Sequence, residues 1–179
     1  LTGYKVTYTD AAAGFDYEIY AVCSDDDAGP FQFSEKLVNK NEQKITVNLQ
    51  DFFNVGAGGE GDPTALKIRT EGQTCYPDGL QMSTLVDGGA VATTTSTSQG
   101  GSDDVPMIYI DYGTKGFYAA LEWPTGNMMA KRNGNTVLMN VYFANFKTRV
   151  EGGTALDIPT VYFGTYLGDI EEGSNEFKR

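Results

Sequence analysis

Two groups of adjacent carboxylates stand out in this 179-residue chain: Asp25, Asp26 and Asp27, followed by Ala28, Gly29 and Pro30, and Asp103 with Asp104 at the end of a Gly/Ser-rich stretch. Neighbouring carboxylates repel one another unless water or a cation neutralises them. Acidic loops of this kind suit Ca2+, which accepts six to eight oxygens in an adaptable shell. The ligand spacing of an EF-hand is missing, so a solvated loop explains the same residues equally well. Asp169, Glu171 and Glu172 form a third acidic set near the C-terminal end.

Carboxylates also work in pairs on glycosidic bonds. Glu18 and Glu122 fall in strand-like stretches, and Trp123 beside Glu122 could stack on a sugar; a lone Trp next to a Pro equally suits edge packing. The chain has no histidine, which excludes Ser–His and Cys–His nucleophiles and His-bound zinc or haem. Ser96, Ser98 and Ser102 sit in no nucleophile-elbow frame. The Gly-rich run 56–61 lacks the Lys-Ser/Thr and the helix that a phosphate cradle needs. Cys23 and Cys75 lie 52 positions apart (75 − 23), outside any CxxC motif. As a disulfide they would close a long loop worth on the order of 4 kcal/mol; as thiols they would be core filler.

The charge balance is 13 basic against 24 acidic residues, a net of −11. This acidic excess leaves no net positive charge to neutralise phosphates, which argues against nucleic acid and anionic membrane as partners and favours cations. No apolar run approaches the ~20 residues of a membrane-spanning helix. The chain starts at Leu1 rather than Met, which fits a secreted, extracellular protein after signal-peptide removal. An oxidising compartment favours the Cys23–Cys75 disulfide.

The elements that must position these residues are strands. Phe15, Tyr17, Ile19, Ala21 and Cys23 alternate with polar residues, as do Ile45, Val47 and Leu49. Further strands are expected at 66–69, 80–86, 91–97, 105–111, 117–123, 136–146 and 158–167. Turn chemistry separates them, with Asn133-Gly134 a hairpin signal. The total is about ten strands of ordinary length. Residues 34–44 read as one short helix or a polar loop. The fold expected is all-β, an antiparallel, jelly-roll-like β-sandwich forming a single domain over 15–179.

Residues 1–9 alternate cleanly, with Tyr4, Val6 and Tyr8 on one face, and a bland joint, Asp10 to Gly14, follows. A first strand paired in its own sheet is one reading. The sharper expectation makes 1–14 a donor strand and linker that complete the sheet of the next copy, a head-to-tail contact that builds a filament or tube.

In size, acidity, all-β patterning, detached leading strand and acidic loops at Asp25–Asp27 and Asp103–Asp104, the chain resembles the cannula proteins, extracellular tubule subunits of hyperthermophilic archaea, and more distantly donor-strand biofilm fibre subunits. That resemblance implies a jelly-roll subunit, calcium-promoted assembly and a helical homopolymer. The ordinary charged fraction, 21%, departs from the ion-pair-rich composition of hyperthermophile proteins. The sequence thus points to a non-enzymatic structural subunit with itself as partner and Ca2+ as cofactor. The alternative is a secreted lectin-like jelly roll that takes glycans at Trp123, cell-surface glycans included, and a glycoside hydrolase ranks third.

Overall fold

A computed structural model describes residues 2–23, 29–58, 67–72, 80–93, 104–123 and 126–177. These form two antiparallel sheets stacked face to face. The larger runs in the order β1 (Thr2–Asp10), β2 (Phe15–Cys23), β3 (Phe31–Asn39), β12 (Ala155–Leu167), β9 (Lys115–Leu121), β8 (Asp104–Asp111), β5 (Lys67–Gly72), β6 (Leu80–Thr84). The smaller runs β4 (Ile45–Gly58), β11 (Thr136–Val150), β10 (Asn127–Asn133), β7 (Ala90–Ala92). The expected antiparallel sandwich is present, and the described residues place eight strands in one layer and four in the other.

The core lies between the sheets. Ile108 and Ile110 of β8 and Phe117, Ala119 and Leu121 of β9 meet Val137, Met139 and Val141 of β11 and Phe52 and Phe53 of β4. The intervening residues, Met107, Tyr109, Tyr118 and Ala120, are buried on the opposite face beneath Ile170 and Phe177 of a short helix, α1 (Ile170–Phe177). Double-sided burial explains why 107–110 and 117–121 are apolar without alternation. Gly164 stands opposite Tyr118, and Gly116 opposite Tyr166, across the β9–β12 ladder. A Cβ at either glycine would run into the facing ring, so each tyrosine lies over a bare backbone. The acidic set before α1 is a helix start: the Asp169 carboxylate accepts from the amides of Glu171 and Glu172 at 3.0 and 3.2 Å. Among the described residues no helix is long and apolar enough to cross a membrane.

Two segments differ from the sequence expectation. Residues 34–39 belong to β3, neither helix nor loop. Two of its inward positions are polar, which breaks the alternation: buried Glu35 takes the Tyr17 hydroxyl, and Asn39 donates to the carbonyls of Gln43, Val150 and Glu151 at 2.9, 3.0 and 3.2 Å. The second is β10, absent from the expected strands. Its inward row is Met128, Ala130 and Arg132, and buried Arg132 donates to the carbonyls of Leu85 and Gly134, each at 2.8 Å. The hairpin expected at Asn133-Gly134 joins β10 to β11, with Asn133 paired to Thr136.

The leading strand pairs with its own neighbour: β1 and β2 keep one register from Thr2↔Cys23 to Asp10↔Phe15. The joint expected to be loose is an anchored turn. The Asp10 carboxylate accepts from the amides of Ala12 and Ala13 at 3.0 and 2.8 Å, and Gly14 N–H returns to the Asp10 carbonyl at 2.8 Å. Gly14 sits at φ +71°, and a Cβ there would meet the Asn41 amide, which itself donates to the carbonyls of Ala13 and Gly14 at 3.1 Å.

Gly14→Ala is therefore expected to destabilise the fold by about 1–2 kcal/mol, the cost of a left-handed non-glycine residue, read as a lower urea midpoint. Amides of β1 should lose hydrogen-exchange protection before those of β8 and β9. Glu35 offers a pH test. Burial raises its carboxyl above the ordinary 4.5, so the folded state holds that proton more tightly than the unfolded state. The resulting stability is full below about pH 4.5 and is lost as pH rises through the folded value. Glu35→Gln should melt higher than the natural chain at about pH 7, with the gap closing at about pH 4; a gap of equal size at both would contradict it.

Candidate functional site

Near one end of the sandwich, two long strands change phase. Between their pairings with Asp51 and Leu49, the chain takes four steps along β11, from Tyr142 to Phe146, against two along β4. Asn145 sits within this bulge at φ 62°, a left-handed conformation that Asn tolerates better than most residues. Along β12 the chain takes three steps from Ile158 to Val161 while β3 takes two from Glu35 to Phe33. Pro159 stands in that irregularity, where a missing N–H interrupts no ladder bond.

β9 ends beside the second bulge. Glu122 N–H donates to the Thr160 carbonyl at 2.9 Å, and Trp123, next along the chain, is 51% exposed. The Gly126 amide returns to the Trp123 carbonyl at 3.3 Å and leads into β10 at Asn127. The bulges and this turn enclose a cleft of about 610 Å³. Its walls include the apolar side chains of Leu49, Phe143, Phe146, Leu156 and Ile158, together with Trp123, Asn127, Asn145, Lys147 and Asp157. Phe143 is backed by Phe52 and Phe146, with ring centroids 4.9 and 5.4 Å away. A second cavity of about 370 Å³ shares Trp123, Asp157, Ile158 and Pro159 with the first and adds Glu122 and Thr160.

Asp157 pairs with Lys36 at 3.0 Å, and that hydrogen bond raises the lysine's pKa. A tryptophan face, two amides, a lysine and two carboxylates around an apolar floor can stack on a flat apolar ring face and hydrogen-bond the hydroxyls at its edge.

Of the residues singled out in the sequence, Glu122 and Trp123 come together here. Glu18 does not. It faces outward on β2, paired with Lys5 at 2.6 Å, and that hydrogen bond lowers its pKa. β3 and β12 separate β2 from β9, three strand spacings of about 4.8 Å each. Glu18 and Glu122 therefore stand farther apart than the ~5–9.5 Å of paired glycosidase carboxylates. Tyr4, Val6 and Tyr8 form one row on β1 and are 77, 47 and 60% exposed. Asp25, Asp26, Asp27, Asp103 and Cys75 lie outside the described residues. Asp104 opens β8 opposite Gly72. Cys23 is half-buried at the end of β2, its Sγ 3.4 Å from the Thr2 carbonyl oxygen. Among the described residues no group of three or more acidic or Cys side chains could hold a metal ion.

Asn127, Asn145, Lys147 and Asp157 escaped the sequence reading. The available signals were the apolar rows themselves, which shift from odd to even positions between Phe143 and Phe146 and from even to odd between Ile158 and Val161.

No family model matches the chain, and no curated protein matches it by sequence. Solved structures do match in shape. The GH36 α-galactosidase AgaA of Geobacillus stearothermophilus superposes with a TM-score of 0.74 at 13% identity, over 97% of this chain and 25% of the enzyme. The α-galactosidase of Lactobacillus brevis gives 0.74 at 12% identity, over 97% of this chain and 24% of that one. Slr1438 of Synechocystis sp. PCC 6803 gives 0.56 at 9%, over 91% and 60%. At these identities the likeness is one of fold: the chain is an all-β sandwich that spans about a quarter of the length of the α-galactosidases it matches.

Proposed function

We propose that this chain is a carbohydrate-binding β-sandwich module and that its ligand lies against Trp123. The observation that carries the reading is the half-exposed indole on a wall common to two clefts, with amides and charged groups beside an apolar floor. A sugar has the matching two-sided chemistry: C–H faces for the indole and hydroxyls for Asn127, Asn145, Lys147 and Asp157. That the fold recurs as a quarter of several α-galactosidases supports a domain that works on glycans. The role in this reading is retention of the glycan; the Glu18–Glu122 pair weighed for cleavage is not brought together, since Glu18 is tied to Lys5 on β2.

Glycan-array binding followed by titration calorimetry tests this. Trp123→Ala should weaken binding about tenfold or more, equivalent to 1.4 kcal/mol, while the melting temperature stays within a few degrees because the indole is half in water. Unchanged binding in that variant would remove the site.

A second reading rests on β1. It is the terminal strand of the larger sheet, and its apolar row Tyr4, Val6 and Tyr8 is open to solvent. Long open edges invite further strands. In this reading the chain is a secreted subunit that self-assembles along that edge, and Ca2+ held by Asp25–Asp27 and Asp103–Asp104 offsets the repulsion between copies of net charge −11. Val6→Lys should then keep the chain monomeric at millimolar Ca2+ when the natural chain sediments as a polymer. A natural chain that stays monomeric with Ca2+ rejects the reading.

A further inference from the structure

We infer that the ligand at Trp123 is an extended oligosaccharide of two or more units, and that the unit beside Glu122 carries no carboxylate or sulfate. The inference rests on the carbohydrate reading above and specifies its ligand. The two cavities, about 610 and 370 Å³, each fall within the size range of small-ligand sites. They meet along Trp123, Asp157, Ile158 and Pro159, so one indole borders both. A single sugar fills one side and leaves the other to water. A chain crossing the indole fills both, and the second unit then binds at the effective concentration set by the glycosidic link.

The two sides differ in chemistry. The larger side has Lys147, Asn127 and Asn145. The smaller has Glu122 and Thr160, shares Asp157, and among the described residues no basic side chain lines it. Lys36, paired with Asp157, reaches that carboxylate from β3. A uronate or sulfated unit there would meet the like charge of Glu122, while Asp157 is balanced by Lys36. A neutral or amino sugar would not, and its hydroxyls have two carboxylates and the Thr160 hydroxyl to bond.

The experiment is titration of the full chain with gluco-, manno-, galacto- and xylo-oligosaccharides of one to four units, alongside oligogalacturonides of the same lengths. For the series that binds, affinity should rise about tenfold or more from one unit to three, and the uronide series should bind more weakly at every length above one. In Glu122→Lys, which adds a positive charge beside the smaller cavity, the length gain for neutral chains should shrink and oligogalacturonides should gain about tenfold relative to them. Affinity that does not change with length would overturn the inference and leave Trp123 as a one-sugar site, and uronides that bind as well as neutral chains or better would overturn its charge preference. Binding that survives Trp123→Ala, or no binding by any series, would instead overturn the carbohydrate reading on which it rests.

Discussion

A strand longer than about ten residues is unusual, and a bulge is one way to keep its apolar side chains on a twisted core along the whole length. β11, β12 and β4 span 15, 13 and 14 residues, and the β4–β11 and β3–β12 ladders each carry an irregularity. The need to keep apolar side chains inward on both sides of a bend makes the bulges, and the bulges re-aim neighbouring residues. On β11 the inward row passes from Val141 and Phe143 to Phe146, which leaves Ala144 and Asn145 to line the cleft. On β12 it passes from Ile158 to Val161, with Pro159 and Thr160 as the hinge. Because both phase changes fall at the end where β9 stops, Trp123 emerges between them. The cleft is a consequence of how the sandwich accommodates its length.

The unequal layers impose a second constraint. The central strands β8, β9 and β12 are sealed on one side by the four-stranded sheet and on the other by α1, whose Phe177 ring meets Tyr118 at 5.6 Å and Tyr162 at 6.3 Å. Toward β1 neither cover extends. There the outward face is a polar ladder, with Lys5 on Glu18, Lys36 on Asp157 and Lys40 on Asp16. Exposed ion pairs of this kind contribute little stability each, so β1 is held by its backbone ladder and the Asp10–Gly14 turn more than by burial.

How much of this was legible in the sequence follows from where side chains go. Strands with one wet face announced themselves by alternation, as β2 and the first part of β4 did. Strands buried on both faces were legible through apolar runs, as at 107–110. β3 and β10 were lost because an inward position is charged: Glu35 is satisfied by Tyr17, and Arg132 by the carbonyl of Leu85 from distant sequence and that of nearby Gly134. Nothing local to 34–39 signals that Asn39 will cap the β11–β12 connection more than a hundred residues away. The site was half legible. Trp123 drew notice as a lone indole beside a carboxylate, whereas Asn127, Asn145, Lys147 and Asp157 are separate points on β10, β11 and β12 that only two bulges and one sheet order bring together. The turn at Asp10–Gly14 looked unanchored because its anchors, an Asp carboxylate folding back and the distant Asn41, leave no compositional trace.

The net charge of −11 bears on the two functional readings with opposite sign. A neutral sugar entering an apolar cleft feels almost none of it, since its binding draws on contact area and hydrogen bonds at short range. A second copy of the chain approaching β1 meets the whole field, screened only beyond ~10 Å at ordinary ionic strength. Lys5 does not relieve this, because Glu18 already holds it at 2.6 Å. Edge-to-edge assembly therefore needs a neutralising cation, whose candidate ligands Asp25, Asp26, Asp27 and Asp103 lie outside the described residues. A neutral glycan in the cleft requires no such neutralisation, and that difference in electrostatic cost ranks glycan recognition ahead of polymerisation.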